Sequence, residues 1–251
     1  MRSSTPHDPA AATRVALVIP VLNEEAAIGP VVGAIPRGLV HRIIVADGGS
    51  TDATVACAAG AGAEVIHPGR GYGRACAAGA EAAADADVLV FMDGDGADDP
   101  LFIAAMVEPI RACTYDFVIG SRVRGAREPG SMAWHQIAAG RFAGLAMHAL
   151  YGVRYTDMCA FRAIRRDALM RLGMREMTYG WNVEMQMRAA RAGLRILEIP
   201  VPCRCRLGGV SKVAGNLSGS LRAGTRILAT IARIAKQSRS PMELSMRERD
   251  A

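Results

Sequence analysis

The stretch Val88-Leu-Val-Phe-Met-Asp-Gly-Asp-Gly96 decides the fold, because an apolar run ends there in two carboxylates one residue apart. Short apolar runs rich in Val and aromatic residues are typical of buried strands. Asp93 and Asp95 would repel each other at the exposed end of such a strand, and a hard divalent cation between them would remove that repulsion. The alternative is an ordinary turn, since Asp and Gly are common turn residues. Both interpretations stay open on this stretch alone.

The chain on either side of this stretch alternates between strand-like and helix-like segments. Further strands are predicted at residues 14–20, 41–46, 63–66 and 115–120, with helical stretches between them. Such alternation predicts an α/β fold with a mostly parallel sheet flanked by helices. Ligands of these sheets bind at the carboxyl ends of the strands. The polar residues at or just after those ends form the candidate site: Asp47, Asp52, Asp93, Asp95, Ser121 and Arg122.

The second half of the chain is less regular, and it carries most of the positive charge. Helices are predicted at residues 137–150 and 181–192 and a strand at 194–200, and residues 217–237 are predicted to form a basic amphipathic helix. The formal net charge is +6, and residues 201–240 contain eight Lys or Arg and no Asp or Glu. This asymmetry indicates an anionic partner, such as a phosphate or a membrane surface. A nucleic-acid partner is not expected, because the basic stretch lacks interleaved stacking aromatics.

Composition excludes several other classes of protein. The six cysteines are scattered and have no accompanying His cluster, so no zinc site is predicted. The first dozen residues are polar and lack the apolar region of a signal peptide. No run of about 20 apolar residues is present, so no membrane-spanning helix is predicted. A cytoplasmic protein with reduced thiols is expected.

Eight segments follow one another in a recognisable order: residues 19–25, 45–52, 71–73, 91–96, 119–122, 161–164, 181–184 and 208–212. Taken together, they resemble the family 2 glycosyltransferases of the GT-A fold, and within them the branch that transfers sugars to dolichyl or polyprenyl phosphate. Each segment is weak by itself, whereas their order over roughly residues 14–235 makes the resemblance specific.

The resemblance implies an inverting, metal-dependent transferase that moves a hexose from a nucleotide-diphosphate sugar, of the UDP-glucose or GDP-mannose type, to a polyprenyl or dolichyl phosphate. The implied cofactor is Mg²⁺ or Mn²⁺ on Asp93 and Asp95, and the ligand set either stops there or extends to Asp98. The implied nucleotide-sugar-binding residues are Pro20, Asn23, Glu24, Asp47, Asp52, Gly73, Asp93 and Gly94. The implied phosphate- and acceptor-binding residues are Arg122, Asp157, Arg206, Ser211 and Lys212.

The acceptor decides whether a general base is needed. A hydroxyl acceptor requires one, and the candidate catalytic base is Glu184, although an ion pair with Arg188 four residues later is an equal alternative. A phosphate acceptor is already anionic at pH 7 and needs only basic residues to position it, which the acid-free stretch after Val201 favours. The same fold acting on a hydroxyl acceptor is therefore the second hypothesis. A non-catalytic nucleotide-sugar-binding module is the third.

These expectations divide the chain into four parts. Residues 1–13 are predicted to be disordered, residues 14–216 to form the GT-A domain, residues 217–237 the basic helix and residues 238–251 a disordered tail. The basic helix either lies on an anionic membrane or packs its apolar stripe on the domain. In the first case the protein would be cytoplasmic and peripheral on the inner face of the cytoplasmic membrane.

Overall fold

The fold is built on a seven-stranded sheet with the strand order β3-β2-β1-β4-β6-β5-β7. The structure is a computed structural model and describes residues 13–208, 225 and 228–235. All pairings are parallel except those of β6 with β4 and with β5. The mostly parallel α/β fold is therefore confirmed. The strands are β1 (Val15–Val21), β2 (Arg42–Asp47), β3 (Glu64–Ile66), β4 (Val88–Phe91), β5 (Phe117–Ser121), β6 (Arg162–Arg165) and β7 (Ile196–Pro200).

The helices connect the strands and cover the sheet. A 3-10 turn at Pro100–Phe102 precedes α4, where the side chain of Asp99 accepts a hydrogen bond from the backbone N–H of Leu101 at 3.1 Å and caps the turn. Gly152 ends α5 in the left-handed conformation that glycine adopts at little cost. The helices are α1 (Glu25–Gly33), α2 (Thr54–Gly60), α3 (Tyr72–Ala82), α4 (Ile103–Arg111), α5 (Trp134–Tyr151), α6 (Arg166–Leu172) and α7 (Trp181–Arg191).

The antiparallel strand β6 was missed by the sequence prediction, as was the helix α6 that follows it. Strand β6 is four residues long and inserts between β4 and β5, with Leu89 opposite Ile164 and Val118 opposite Ala163. Because β6 runs against both neighbours, β4 and β5 still point in the same direction. The carboxyl ends of β1, β2, β4 and β5 consequently meet at one edge of the sheet, which is the condition for a shared site.

The core lies on both faces of the sheet and is made mainly of Val, Ile, Leu and Ala. Trp181, at the start of α7, is 1% exposed and meets Phe91 of β4 edge to face, with ring centroids 6.4 Å apart. This contact fixes α7 against the strand that carries the paired carboxylates. None of the helices in the described part of the chain is long and apolar enough to cross a membrane.

The predicted basic helix is described only at residue 225 and residues 228–235, and these are helical. Thr230 and Ile234 are each 1% exposed, and Ile234 belongs to the main core. Arg233 approaches Glu176 at 3.4 Å. The described part therefore packs on the domain, which was the alternative to membrane contact. Of the termini predicted to be disordered, residues 1–13 and 238–251, all but residue 13 lie outside the described residues.

Candidate functional site

Loops that follow the strand ends surround a cavity of about 810 Å³ at the shared edge of the sheet. The loops after β1, β2, β4 and β5 all contribute to its wall, together with the segment that enters α3 and the first turns of α5 and α7. A cavity at this edge is where parallel sheets bind their ligands. The predicted site residues that line it are Pro20, Glu24, Asp93, Asp95, Arg122, Asp157 and Arg206.

Three carboxylates crowd together at the end of β4. Asp93, Asp95 and Asp98 all line the cavity, and the Asp98 carboxylate accepts a hydrogen bond from the Asp93 backbone N–H at 3.2 Å. Burial, followed by the charges of Asp95 and Asp98, raises the pKa of Asp93 to about 8. Burial likewise raises the pKa of Asp98 to about 6, although Arg122 acts against it. Because each acid opposes ionisation of the others, the cluster attracts positive charge.

Arg206, in the segment that follows β7, brings a positive charge to the cavity. Its guanidinium contacts the Glu24 carboxylate at 2.7 Å and the Asp95 carboxylate at 3.0 Å. The backbone N–H of Leu207 donates to the Asp95 carbonyl at 3.0 Å, which holds this segment against the loop after β4. Arg206 therefore links the loops after β1 and β4 across the cavity.

Arg122, directly after β5, makes a bidentate ion pair with Asp157. Its Nε and Nη2 atoms lie 2.8 Å from the two carboxylate oxygens, and its backbone N–H donates to the same side chain at 3.0 Å. Burial would raise the pKa of Asp157, but the hydrogen bonds and charge of Arg122 outweigh it and lower the pKa. Both residues line the cavity, and Asp157 is fully engaged by its partner.

The predicted residues of the first two loops mainly hold those loops together. The Asp47 carboxylate accepts hydrogen bonds from the backbone N–H groups of Gly49 and Ser50, and these lower its pKa in spite of burial. Asn23 accepts from the N–H of Thr51 at 2.9 Å, and Asp52 caps α2 by accepting from the N–H of Thr54 at 3.0 Å. The loops after β1 and β2 are thus joined next to the cavity wall, where Gly48 lies.

Comparison with known proteins identifies the family. The sequence model of glycosyl transferase family 2 matches residues 16–173. The chain belongs to glycosyl transferase family 2. It is 36% identical over 212 residues to an uncharacterised glycosyltransferase of Mycobacterium tuberculosis, covering 82% of this chain and 93% of that protein. It is 33% identical over 224 residues to the undecaprenyl-phosphate mannosyltransferase of Micrococcus luteus, covering 82% and 90% of the two chains.

The fold is also similar to a solved glycosyltransferase structure. The glucosyl-3-phosphoglycerate synthase of Mycobacterium tuberculosis, crystallised with Mn²⁺ and UDP-glucose, is 25% identical with a TM-score of 0.70. The match covers 89% of this chain and 79% of that one. The family and the GT-A fold predicted from the sequence are therefore confirmed, and the protein is a glycosyltransferase.

Glu184 does not reach the cavity of this glycosyltransferase. Glu184 lies on α7 and its carboxylate is fully buried. One carboxylate oxygen accepts hydrogen bonds from the backbone N–H groups of Arg175 and Glu176 at 2.9 and 2.6 Å. The other oxygen pairs with Arg188 Nε at 2.9 Å. The ion pair with Arg188, which was the alternative to a general base, is therefore present, and both carboxylate oxygens are occupied away from the cavity lining.

Two predicted glycines pack tightly and do not line the cavity. A Cβ atom on Gly94 would lie 2.7 Å from Val21 Cγ1, so the absence of a side chain lets the loop after β4 pack against β1. A Cβ atom on Gly73 would lie 2.3 Å from the Glu176 carbonyl oxygen. The neighbouring Gly71 and Tyr72 line the cavity instead. Ser211 and Lys212 lie outside the described residues.

A Gly73→Ala variant is expected to lose about 1–3 kcal/mol of unfolding free energy, because the new methyl group would push the backbone of Glu176 away from α3. Gly29→Ala in α1 is the matched control, since no atom lies within 4 Å of its added Cβ. We expect the control to gain about 0.5–1 kcal/mol from helix propensity. Urea unfolding of both variants measures the difference, and equal effects would contradict the packing role.

Sequence analysis assigned no role to three residues at or beside the site, although each lies in a segment of the resemblance. Tyr72 and Asn182 line the cavity, and burial followed by the charge of Asp93 raises the pKa of the Tyr72 hydroxyl, which therefore stays protonated. Arg162 on β6 is fully buried, and it donates to the carbonyls of Asn182 at 3.0 Å and of Cys159. It thereby fastens the start of α7 to the sheet. Its only signal in the sequence was the segment at residues 161–164 of the resemblance.

Proposed function

We propose that this glycosyltransferase moves a hexose from a nucleotide-diphosphate sugar to a polyprenyl phosphate, with inversion at the anomeric carbon and with a divalent metal ion. The observation that carries the proposal is the composition of the cavity: a cluster of acids at the end of β4 faces two arginines on other loops. Similarity to an undecaprenyl-phosphate mannosyltransferase supports the class of acceptor. The GT-A-like neighbour with bound Mn²⁺ and UDP-glucose supports the class of donor.

The acid cluster fits a hard divalent cation. Its donors are all carboxylate oxygens, and burial together with the charges of Asp95 and Asp98 raises the pKa of Asp93, so a cation beside these acids would relieve their repulsion. No group of three or more acidic, His or Cys side chains arranged to enclose a metal occurs in the described residues. An ion such as Mg²⁺ takes one or two carboxylates and fills its remaining positions with water and substrate phosphates. Asp93 and Asp95 would hold it, and Asp98 would support Asp93 from the loop.

The leaving group is a nucleoside diphosphate, and the residues around it would neutralise its charge. A bound divalent ion supplies Lewis-acid stabilisation of that charge. Arg206 already reaches Asp95 and Glu24 across the cavity, so a diphosphate bound at the acid cluster lies within its range. Arg122 is oriented by its bidentate pairing with Asp157 and presents a fixed positive charge to the same space. Preorganised cations of this kind stabilise developing negative charge without reorganisation.

The cavity favours an acceptor that needs no general base. Among the described carboxylates that line it, Asp157 is held by Arg122, and Glu24 and Asp95 are contacted by Arg206. Asp93 and Asp98 belong to the proposed metal site. With Glu184 engaged elsewhere, a hydroxyl acceptor would lack a free base, whereas a phosphate acceptor is itself a nucleophile. The enzyme would therefore act by aligning the acceptor oxygen with the anomeric carbon.

Mn²⁺ affinity is expected to rise with pH between about 6 and 8, because protons on Asp98 and Asp93 compete with the metal. Both pKa values are raised, so protonation opposes metal binding below about pH 8 and ceases to do so above it. Roughly a tenfold gain in affinity from pH 6.5 to 7.5 is expected for one competing proton. Calorimetric titration of Mn²⁺ in the absence of nucleotide measures this slope. A flat profile would contradict the assignment.

A donor screen tests the proposed function. The purified protein is incubated with Mn²⁺ and a panel of UDP- and GDP-sugars, each with a short polyprenyl phosphate or with 3-phosphoglycerate as a hydroxyl acceptor. Nucleoside diphosphate release that depends on the polyprenyl phosphate is the expected result. Release with the hydroxyl acceptor alone would replace the proposal by the second hypothesis. Nucleotide binding without turnover for any pair would leave a non-catalytic binding module.

Contact with a membrane belongs to the same proposal. A polyprenyl phosphate resides in a bilayer, and the net charge of +6 favours an anionic surface. We propose a peripheral association on the cytoplasmic side, where nucleotide sugars are made available. Flotation with anionic and neutral vesicles measures it.

A further inference from the structure

A second cavity lies on a different face of α5 from the transfer site. Its volume is about 500 Å³, and it shares no lining residue with the first cavity. Gln136 and Ala139 of α5 face the transfer site, whereas Arg141, Leu145 and His148, spaced four and three residues apart, share the other face. The helix therefore separates two independent concave surfaces.

The second cavity is basic at its rim. Three arginines and one histidine line it: Arg124, Arg141, Arg154 and His148. Arg124 lies 3.8 Å from Glu198, but Arg141 and Arg154 have no carboxylate within 4.0 Å among the described residues. No Asp or Glu occurs anywhere in residues 129–156, which supply α5 and the chain on both sides of it. Glu198 also accepts from the backbone N–H of Thr156 at 2.8 Å, so it is the acid beside this cavity, and it offsets the positive charge only in part.

Close packing of the backbone forms this arrangement. A Cβ atom on Gly144 would lie 2.0 Å from the carbonyl oxygen of Tyr155, so glycine lets α5 touch the segment that follows it. That contact brings Arg154 next to the helix face that carries Arg141. The Tyr155 hydroxyl donates to the Gln186 carbonyl at 3.0 Å and anchors the segment to α7. The basic residues thus sit on rigid elements, as a binding site requires.

Anions are the ligands that such a cavity recognises. Guanidinium groups bind phosphate through paired N–H donors, and their affinity is greatest where the surrounding walls exclude water. Here Val123 and Leu145 contribute apolar surface to the lining, and Leu145 is 67% exposed beside the charges. Apolar surface next to several basic groups suits a phosphate that carries an organic substituent.

We propose that the cavity between α5 and residues 153–156 is a second anion-binding site, separate from the transfer site, which takes the phosphate group of an organic phosphate. Arg141 and Arg154 hold the phosphate, and His148 and Arg124 lie at the rim. The phosphate belongs either to a phospholipid headgroup or to a small soluble phosphate ester. The site does not depend on the chemistry proposed for the acid cluster.

The test compares a double variant, Arg141→Gln/Arg154→Gln, with a control of equal charge, Arg111→Gln/Arg191→Gln. The control arginines are exposed at the ends of α4 and α7 and line neither cavity. Both variants keep the transfer site unchanged, so any phosphate binding there is the same in both and cancels in the comparison. Thermal unfolding first establishes that both variants fold.

Two probes distinguish the sources of the phosphate. Glycerol 3-phosphate is titrated by calorimetry, and vesicles of phosphatidylcholine with or without phosphatidylglycerol are tested by sedimentation. We expect the double variant to bind one probe at least about 25-fold more weakly than the control. This value assumes that each of the two basic groups contributes about 1 kcal/mol and that about 1.4 kcal/mol corresponds to a tenfold change in affinity. Loss for the vesicles alone assigns a headgroup, and loss for the ester alone assigns a soluble phosphate. Equal binding by the two variants for both probes would overturn the proposal.

Discussion

An Asp93→Asn variant is expected to lose about three orders of magnitude in kcat, because it removes one of the two carboxylates proposed to hold the metal and with it the stabilisation of the leaving diphosphate. Its thermal stability should not fall. Burial and the charges of Asp95 and Asp98 oppose ionisation of Asp93, so an amide of the same shape relieves repulsion in the free protein. Loss of activity without loss of stability is typical of residues retained for function.

Asp167→Asn is the matched control, since it makes the same chemical change at an exposed carboxylate on α6. Asp167 pairs with Arg165 and Arg171 at the surface, and such pairs contribute about 0–1 kcal/mol. The control should keep its kcat within about twofold of the parent. Steady-state transfer assays and thermal unfolding of both variants provide the comparison. An Asp93→Asn enzyme with full activity would contradict the assignment of the metal site.

A Glu184→Gln variant is expected to lose about 3 kcal/mol of unfolding free energy, the typical cost of breaking a buried ion pair. One carboxylate oxygen accepts two backbone N–H groups and the other accepts Arg188. Glutamine offers only one acceptor oxygen, so its NH₂ group must face a donor in either orientation. The activity per folded molecule should stay within about threefold of the parent, because the side chain does not touch the cavity.

The double variant Glu184→Gln/Arg188→Gln separates the structural role from a catalytic one. With the guanidinium gone, the amide oxygen of residue 184 can accept the backbone N–H groups while its NH₂ group donates to the new glutamine. We expect at least half of the lost stability to return, since replacing both members of a buried pair is far less costly than removing one. Urea unfolding together with single-turnover transfer measures both quantities. Retained stability with abolished transfer in the single variant would restore Glu184 as the base.

The part of the site that could be predicted from the sequence is the part fixed by local chain direction. Asp93 and Arg122 each follow a run of buried apolar residues, and parallel strands bring such positions to one edge. Their common edge survives the insertion of β6 because two antiparallel pairings restore the direction of β5. The strand β6 itself was missed, since four residues that include a buried arginine lack the alternating pattern of a typical strand.

The roles that could not be predicted depend on contacts between distant parts of the chain. Glu184 was an even choice between a base and a partner of Arg188, and only its two backbone donors from residues 175 and 176 decide the matter. The resemblance implied that Gly73 binds the nucleotide sugar, whereas the structure places it against the carbonyl of Glu176, about a hundred residues later, where no side chain fits. The second basic cavity likewise depends on the contact between Gly144 and Tyr155, which no helical periodicity reveals.

The most direct test of the central claim compares a short polyprenyl phosphate with the corresponding polyprenol as acceptors, using a radiolabelled nucleotide sugar with Mn²⁺ or with EDTA. The label that reaches the organic phase is measured. The account predicts transfer to the phosphate with Mn²⁺ and none to the alcohol or in EDTA, because the described cavity offers arginines for an anion and no free base for a hydroxyl. Equal transfer to the polyprenol, or transfer unaffected by EDTA, would contradict it.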